Sequence, residues 1–346
     1  LDYDADAGTA TVQPGLVLDN LNRHLKSDGW WYPVDVSTAS RATLGGMAAN
    51  NSCGSRSIRY GKMQDNVRAL NAMTVDGTTR RFEYADTTQA LDADMRKLAL
   101  QEQNEITTRF PKVQRRVGGY NIDALLGDAP HIGHLLVGSE GTLALTKSID
   151  LKLSPVLGTK TLGVCHFPTF YAAMDAAQYI VKLGPVAVEL VDHNMIQLGR
   201  DIPQFRPVVE SFVQGNPAAL LLVEFAETPE ENGKRLNELV ELMGDLGFSW
   251  SDTNKATGGV FKVEDPAFQA RIWGVRTQGL NIMMSMRSEG QPVSFVEACA
   301  VPLEQPADFT SQWTAVFHNP GTDGTWYAHA SVGLVCLRPL FNPRQG

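Results

Sequence analysis

Apolar and polar residues alternate over Thr9–Gln13, the pattern of a strand, and Pro14-Gly15 ends it. Val17, Leu18, Leu21 and Leu25 then recur at helical spacing, with Gly29 as the stop signal. Asn66–Val75 and Thr78–Tyr84 flank Asp76-Gly77 as the arms of a hairpin, and Asp-Gly supplies the positive φ values of a type I′ turn. Asp86–Gln103 predicts a helix with a polar face. His134–Leu153 predicts a long strand-like region interrupted at Gly138-Ser-Glu-Gly-Thr142.

Near Ser154–Lys160 the character changes to strand and helix in alternation. Strands are predicted over Leu162–Phe167, Val186–Val191 and Ala218–Phe225, and helices over Phe170–Leu183, Phe205–Val213 and Pro266–Leu280. A further helix covers Pro229–Leu246, with Thr228 as N-cap and Pro229 in its first position, where a missing N–H costs nothing. Val293–Val301 and Trp326–Val335 are strand-like. The pattern predicts a boundary at about residue 155, followed by an α+β sandwich with helices on one face of a sheet.

Composition narrows the function. The 346 residues suit about two domains at ~150 each. Thirty Lys+Arg against 38 Asp+Glu leave a net charge of −8, which argues against a nucleic-acid partner and a polybasic membrane clamp. Cys53, Cys165, Cys299 and Cys336 lie far apart with no CxxC, as in a reducing cytosol. No apolar run approaches the ~18 residues of a transmembrane segment, and the acidic first residues do not resemble a signal peptide. Without an initiator Met, the expectation is a piece of a longer chain.

Several chemistries lack their motifs. GxGxxG and HExxH are absent. Gly54 to Lys62 has six residues between its glycines and Met63 in place of a P-loop Ser or Thr. Ser331 has His329, not glycine, two residues before it, which excludes a nucleophile elbow. Pro33 to Gly61, by contrast, interleaves small side chains, glycines and hydroxyl or amide groups. Such a segment brings N–H donors close to an anion; it is equally the composition of an irregular loop with several turns.

Thr11-Val-Gln-Pro-Gly15, Thr43-Leu-Gly-Gly-Met47, Asn50-Asn-Ser-Cys-Gly54, Tyr60-Gly61 and Gly138-Ser-Glu-Gly-Thr142 occur in one order and spacing. In these five motifs the chain resembles FAD-linked flavoproteins of the vanillyl-alcohol-oxidase, or PCMH-type, family. The branch is that of D-2-hydroxyglutarate dehydrogenases, D-lactate dehydrogenases and the glycolate oxidase D subunit. The resemblance implies an α+β fold: an N-terminally incomplete PCMH-type FAD-binding domain over 1–155, then a C-terminally incomplete substrate or cap domain over 156–346. It implies that Asp35, Ser37, Thr38, Thr43, Gly45 and Gly46 wrap the FAD pyrophosphate and ribose. Asn50, Asn51, Ser52 and Gly54 would lie along the isoalloxazine, with Gly61 following, while Glu140, Gly141 and Thr142 close over the other side. Cys53 reads as a flavin attachment point or as a buried small thiol.

For the substrate, the resemblance implies a carboxylate-binding Arg276 in Trp273-x-x-Arg276, since a guanidinium fork grips a carboxylate through two bonds. The resemblance also offers Arg338 as a second carboxylate anchor, and Tyr120 and Asn121 as residues that would approach flavin or substrate. Metal-dependent relatives carry two histidines seven residues apart; His329 matches the first, a candidate catalytic residue and ligand, and Cys336 stands at the second. The pair reads as a divalent site biased towards zinc, or as an impaired site with Cys336 a plain strand residue. His131 and His134 make an i, i+3 pair without a third ligand nearby. Glu297-Ala298-Cys299 stands where relatives carry Glu-Asp-Cys.

The implied activity is FAD-dependent oxidation of a D-2-hydroxy acid, D-2-hydroxyglutarate or D-lactate, to the 2-oxo acid, by hydride transfer to flavin N5. Electrons would pass to an acceptor protein or a quinone; the iron–sulfur cluster of relatives belongs to a C-terminal region outside this chain. The expected location is the cytoplasm, free or peripheral to the inner membrane. The rival expectation is a flavin-binding module or incomplete fragment without turnover.

Overall fold

A computed structural model describes residues 1–278, 291–292, 298–318 and 324–341. The chain divides into two compact units, Leu1–Val156 and Leu157–Gly346.

The first unit carries strands β1 (Asp2–Asp4), β2 (Thr9–Val12), β3 (Trp30–Trp31), β4 (Val67–Met73), β5 (Thr79–Phe82), β6 (Leu145–Lys152) and β7 (Ser154–Pro155). Five of them form an antiparallel sheet in the order β1-β2-β6-β4-β5, and β3 pairs with β7. The helix Leu18–Leu25 presents Leu18, Leu21 and Leu25 to the core at the predicted spacing, and Gly29 ends the following turn at φ +77°. Burying each of these leucines is worth roughly 1.5–3 kcal/mol.

Two local expectations change. The β4–β5 connection is not a type I′ turn: the Gly77 N–H donates to Thr74 O at 2.9 Å, the Thr74 N–H donates to Thr78 O at 2.9 Å, and among these residues only Gly77 has positive φ. The Asp76 carboxylate binds the hydroxyls of Thr74 and Thr78, and this stabilises the longer loop. Gly133–Leu136 is a helical turn, not the start of a strand, so β6 begins only at Leu145.

The second unit has strands β8 (Thr161–Phe167), β9 (Ala187–Asp192), β10 (Ala219–Phe225), β11 (Gly259–Val263), β12 (Gln291–Pro292), β13 (Ala298–Ala300), β14 (Gly324–His329) and β15 (Leu334–Phe341). Their order is β11-β8-β10-β9-β14-β15-β12, with β13 also on β15. Contrary to the single-face expectation, helices cover both faces. Cys165, Phe167, Leu221, Val223 and Phe225 pack with residues of the helices Phe170–Ile180 and Pro229–Asp245. Leu162, Val164, Leu220 and Leu222 pack with residues of the helices His193–Asp201, Arg206–Phe212 and Pro266–Thr277. Every residue of β8 and β10 is buried, and a strand apolar on both sides must be covered on both sides.

Trp326–Val335 is not one strand: β14 and β15 form a hairpin through a turn at Ala330–Val332 and Gly333. The helices His193–Asp201 and Pro306–His318 and the strand β11 were not anticipated. Of Val293–Val301, residues 293–297 lie outside the described residues. Among the described residues, no helix is long and apolar enough to cross a membrane.

Candidate functional site

The small-residue motifs meet within the first unit. Thr43 caps the helix Leu44–Ala49, its Oγ1 accepting from the Gly46 N–H at 3.3 Å. The Gly45 N–H donates to Pro14 O at 2.8 Å, and a Cβ on Gly45 would lie 2.5 Å from Pro14 Cβ. Thus the Pro14-Gly15 and Gly45-Gly46 motifs are parts of one contact. The Gly138 N–H and Glu140 N–H donate to Ala48 O and Ala49 O at 2.8 and 2.9 Å, so the 138–142 loop satisfies carbonyls at the end of that helix. Glu140 takes φ +52° and Gly141 φ +73°. Thr142 Oγ1 donates to Ser139 O and lies 2.8 Å from the Tyr120 hydroxyl.

Asn51 is fully buried at φ +51°; its Oδ1 accepts from the Gln64 N–H at 3.0 Å, and its Nδ2 has no hydrogen-bond partner. Asn121 is also fully buried. Its Nδ2 donates to Val137 O at 2.7 Å and His134 O at 3.3 Å, and its Oδ1 has no partner. A Cβ on Gly138 would touch both asparagines, at 3.3 and 3.6 Å, which brings three segments together at one point.

Thr38, Thr43, Gly46, Asn50 and Ser52 line a cleft of about 250 Å³ together with Val36, Ala42 and Met47. Ser37 is exposed beside Thr38. Ser52 Oγ donates to Asn50 Oδ1 at 2.5 Å. Asp35, Gly54 and Gly61 are engaged in the scaffold of this strip. The Asp35 carboxylate accepts from Ser55 Oγ at 2.7 Å and Arg56 Nη1 at 2.8 Å, and Gly54 lies directly against it. Gly61, at φ +70°, leaves room for the Asp65 carboxylate. Sequence reasoning gave no role to Arg115, although it is buried: its Nε donates to Cys53 Sγ at 2.9 Å and its Nη2 to Cys53 O at 3.2 Å.

In the second unit, antiparallel register places His329 opposite Glu189 and Leu334, and Tyr327 opposite Val191 and Cys336. Asp192 holds this register. One of its oxygens caps the helix His193–Asp201 at Met195, and the other accepts from the Trp326 N–H and Thr325 Oγ1, each at 2.9 Å. Burial raises the pKa of Asp192. Glu189, 1% exposed, accepts from His329 Nδ1 at 2.6 Å on one oxygen and from Arg276 Nη2 at 2.7 Å on the other. The guanidinium carbons of Arg276 and Arg338 lie 5.5 and 5.9 Å from the Tyr327 ring centroid. Burial, with the neighbouring Cys336 thiol, pushes the Tyr327 hydroxyl up to about 12. The fold therefore brings Arg276, from a distant helix, to the hairpin that carries His329, Cys336 and Arg338.

Comparison with known proteins bears on both units. A model described as the FAD binding domain matches residues 1–83, and one described as the C-terminal domain of FAD linked oxidases matches residues 158–346. The chain belongs to the FAD-linked oxidase family. Among its relatives, a D-2-hydroxyglutarate dehydrogenase of Pantoea ananatis is 26% identical over 99% of this chain and 35% of its own length. A D-lactate dehydrogenase of Archaeoglobus fulgidus is 25% identical over 98% of this chain and 63% of its own. The chain thus spans about a third of the length of the D-2-hydroxyglutarate dehydrogenases it matches. An alkyldihydroxyacetonephosphate synthase structure superposes with a TM-score of 0.64 at 18% identity, covering 100% of this chain and 57% of that one.

The residues of the first unit fit FAD, the group its family model names. It has a cleft lined by hydroxyl and amide groups, backbone at positive φ around it, and two buried asparagines each with an unpartnered polar atom. The zinc reading of His329 and Cys336 finds no support. Among the described residues no three His, Cys, Asp or Glu side chains are grouped to hold a metal ion. His329 directs Nδ1 to Glu189, while Cys336 is buried opposite Tyr327. The His131–His134 pair is likewise internal. The rings stack at 3.7 Å with each Nε2 at a backbone carbonyl, and burial, helped by the neighbouring His131, lowers His134 to about 4. Glu297 lies outside the described residues. Glu189 went unnoticed in the sequence; the one signal was a lone carboxylate inside an otherwise apolar strand, Val186–Val191.

Proposed function

We propose that this FAD-linked oxidase chain forms the flavin-holding and substrate-binding parts of a dehydrogenase of D-2-hydroxy acids, with D-2-hydroxyglutarate and D-lactate as the leading substrates. The single observation that carries the reading is the cluster at Glu189 and Tyr327: Arg276 and His329 share the Glu189 carboxylate, and Arg276 and Arg338 lie over the Tyr327 ring. In the first unit, Thr38, Thr43, Gly46, Asn50 and Ser52, with Asn51 and the 140–142 loop, would hold FAD. Bound FAD supplies two-electron, hydride-accepting chemistry.

The protein's own residues do the rest. A 2-hydroxy acid presents a carboxylate, which Arg276 and Arg338 bind by charge-assisted hydrogen bonds. Oxidation at C2 releases the hydroxyl proton along with a hydride equivalent, and His329 takes that proton. The product is the 2-oxo acid, and the electrons leave to an acceptor protein or a quinone.

The test is anaerobic mixing of the FAD-loaded full-length protein with a panel of D- and L-2-hydroxy acids while flavin absorbance is followed. Bleaching by a D-2-hydroxy acid supports the reading. A bound flavin that no member of the panel bleaches refutes it in favour of a flavin-binding module without turnover.

A further inference from the structure

We infer that Glu189 is a positioning residue: it fixes which ring nitrogen of His329 is offered to the substrate hydroxyl, and it aims the Arg276 fork at the substrate carboxylate. The inference rests on the dehydrogenase reading above and gives Glu189, to which that reading assigns no part in the chemistry, a role of its own.

A carboxylate that is 1% exposed must be satisfied by donors, and Glu189 divides its two oxygens between two elements. One oxygen meets His329 Nδ1 at 2.6 Å, at the end of β14, and the other meets Arg276 Nη2 at 2.7 Å, near the end of the helix Pro266–Thr277. Three consequences follow from donor and acceptor rules. An ionised carboxylate only accepts, so Nδ1 of His329 must carry a hydrogen. In the neutral ring Nε2 is then the lone-pair nitrogen, the atom able to receive a proton. Arg276 is held at one Nη and lies over the Tyr327 ring at 5.5 Å, while its Nε has no hydrogen-bond partner. Two restraints fix the plane of its guanidinium. The β14–β9 register that sets His329 opposite Glu189 is itself held by Asp192, so the link is built into the sheet.

An ion pair serving stability alone predicts otherwise: its loss would lower the amount of folded, flavin-loaded protein and leave the kinetics per bound flavin unchanged. The experiment uses the full-length FAD-loaded protein and two readouts. The first is nitrogen NMR of 15N-histidine-labelled wild type, with His329 assigned by difference from His329→Gln. Neutral His329 is expected as the Nδ1–H tautomer, and the Nε2–H tautomer overturns the inference. The second is steady-state kinetics per bound flavin for Glu189→Gln and Glu189→Asp. Glu189→Gln retains only one acceptor oxygen; it should raise KM and lower kcat, with kcat/KM falling roughly 10- to 100-fold, and Glu189→Asp should recover part of the loss. Unchanged kcat and KM per flavin overturn the inference. Should Glu189→Gln not fold, the wild-type tautomer decides alone. The tautomer does not depend on turnover: an Nδ1–H ring in a protein that no hydroxy acid reduces removes the dehydrogenase reading and leaves the Glu189–His329 link standing.

Discussion

Gly54→Ala is the sharpest test of how the flavin strip is built. A Cβ at this position would lie 2.0 Å from Asp35 Oδ1 and 2.3 Å from Asp35 O, closer than the 3.0 Å that real Cβ atoms keep. The nearest atoms include backbone, so a side-chain rotation cannot relieve the clash. Overpacking of this kind costs ~1–3 kcal/mol. Pushing Asp35 aside also weakens its hydrogen bonds to Ser55 and Arg56, and a charged bond of that type is worth ~1.5–3 kcal/mol. The sum is about 2.5–6 kcal/mol, which at ~2–4 °C per kcal/mol lowers the Tm of a unit this size by roughly 5–24 °C. Gly15→Ala is the matched control, because Gly15 belongs to the same set of motifs and has nothing within 4 Å of a Cβ. It should stay within ~0.5 kcal/mol of wild type. The assays are thermal unfolding by circular dichroism and the flavin-to-protein absorbance ratio after loading with FAD. Gly54→Ala should lose both stability and flavin. A Tm within ~2 °C of wild type with full flavin content would refute the packing argument.

Burial lowers His166 from 6.5 to about 4, while its Nδ1 faces Val164 O and its Nε2 accepts from the Gln214 N–H at 3.0 Å. The charged form is disfavoured by the fold, so this contribution is intact above 6.5 and fades as pH falls from 6.5 towards 4, by up to ~3 kcal/mol. His166→Gln should flatten that part of the acid-unfolding profile read by circular dichroism, and an identical profile would contradict the assignment. Cys165 and Cys336 are buried while Cys53 and Cys299 are partly exposed, and burial pushes the Cys165 thiol up. Ellman's reagent should therefore titrate two thiols in the native protein and four in guanidinium; rapid native reaction of all four would mean the buried pair is misplaced.

Much of the scaffold was legible because short-range physics decides it. The heptad-like spacing of Leu18, Leu21 and Leu25, the Thr228 cap with Pro229 behind it, and the mostly apolar runs of β8 and β10 are local signals, and each element stands where they put it. The failures are also physical. A type I′ turn is a two-residue solution, and the Thr74 and Thr78 hydroxyls gave Asp76 partners that stabilise a longer loop. Trp326–Val335 is apolar apart from His329 and Ser331, so periodicity alone did not show the turn that folds β14 back onto β15. A helix at His193–Asp201 depends on Asp192 as its cap, and that aspartate is held by Thr325 and Trp326, more than a hundred residues away.

The sequence by itself determined the order of the motifs, the places where the backbone needs glycine, and the residue types able to bind FAD or a carboxylate. These are properties of neighbouring residues, and neighbours are what a sequence records. Only the tertiary structure decided what those residues do to one another. It engaged the Asp35 carboxylate with Ser55 and Arg56, brought Asn51 and Asn121 together at Gly138, and turned Nδ1 of His329 towards Glu189. Glu189, Arg276 and His329 are far apart along the chain. Their meeting is set by sheet register and by a buried carboxylate's need for two donors, and neither is written in any local stretch of residues.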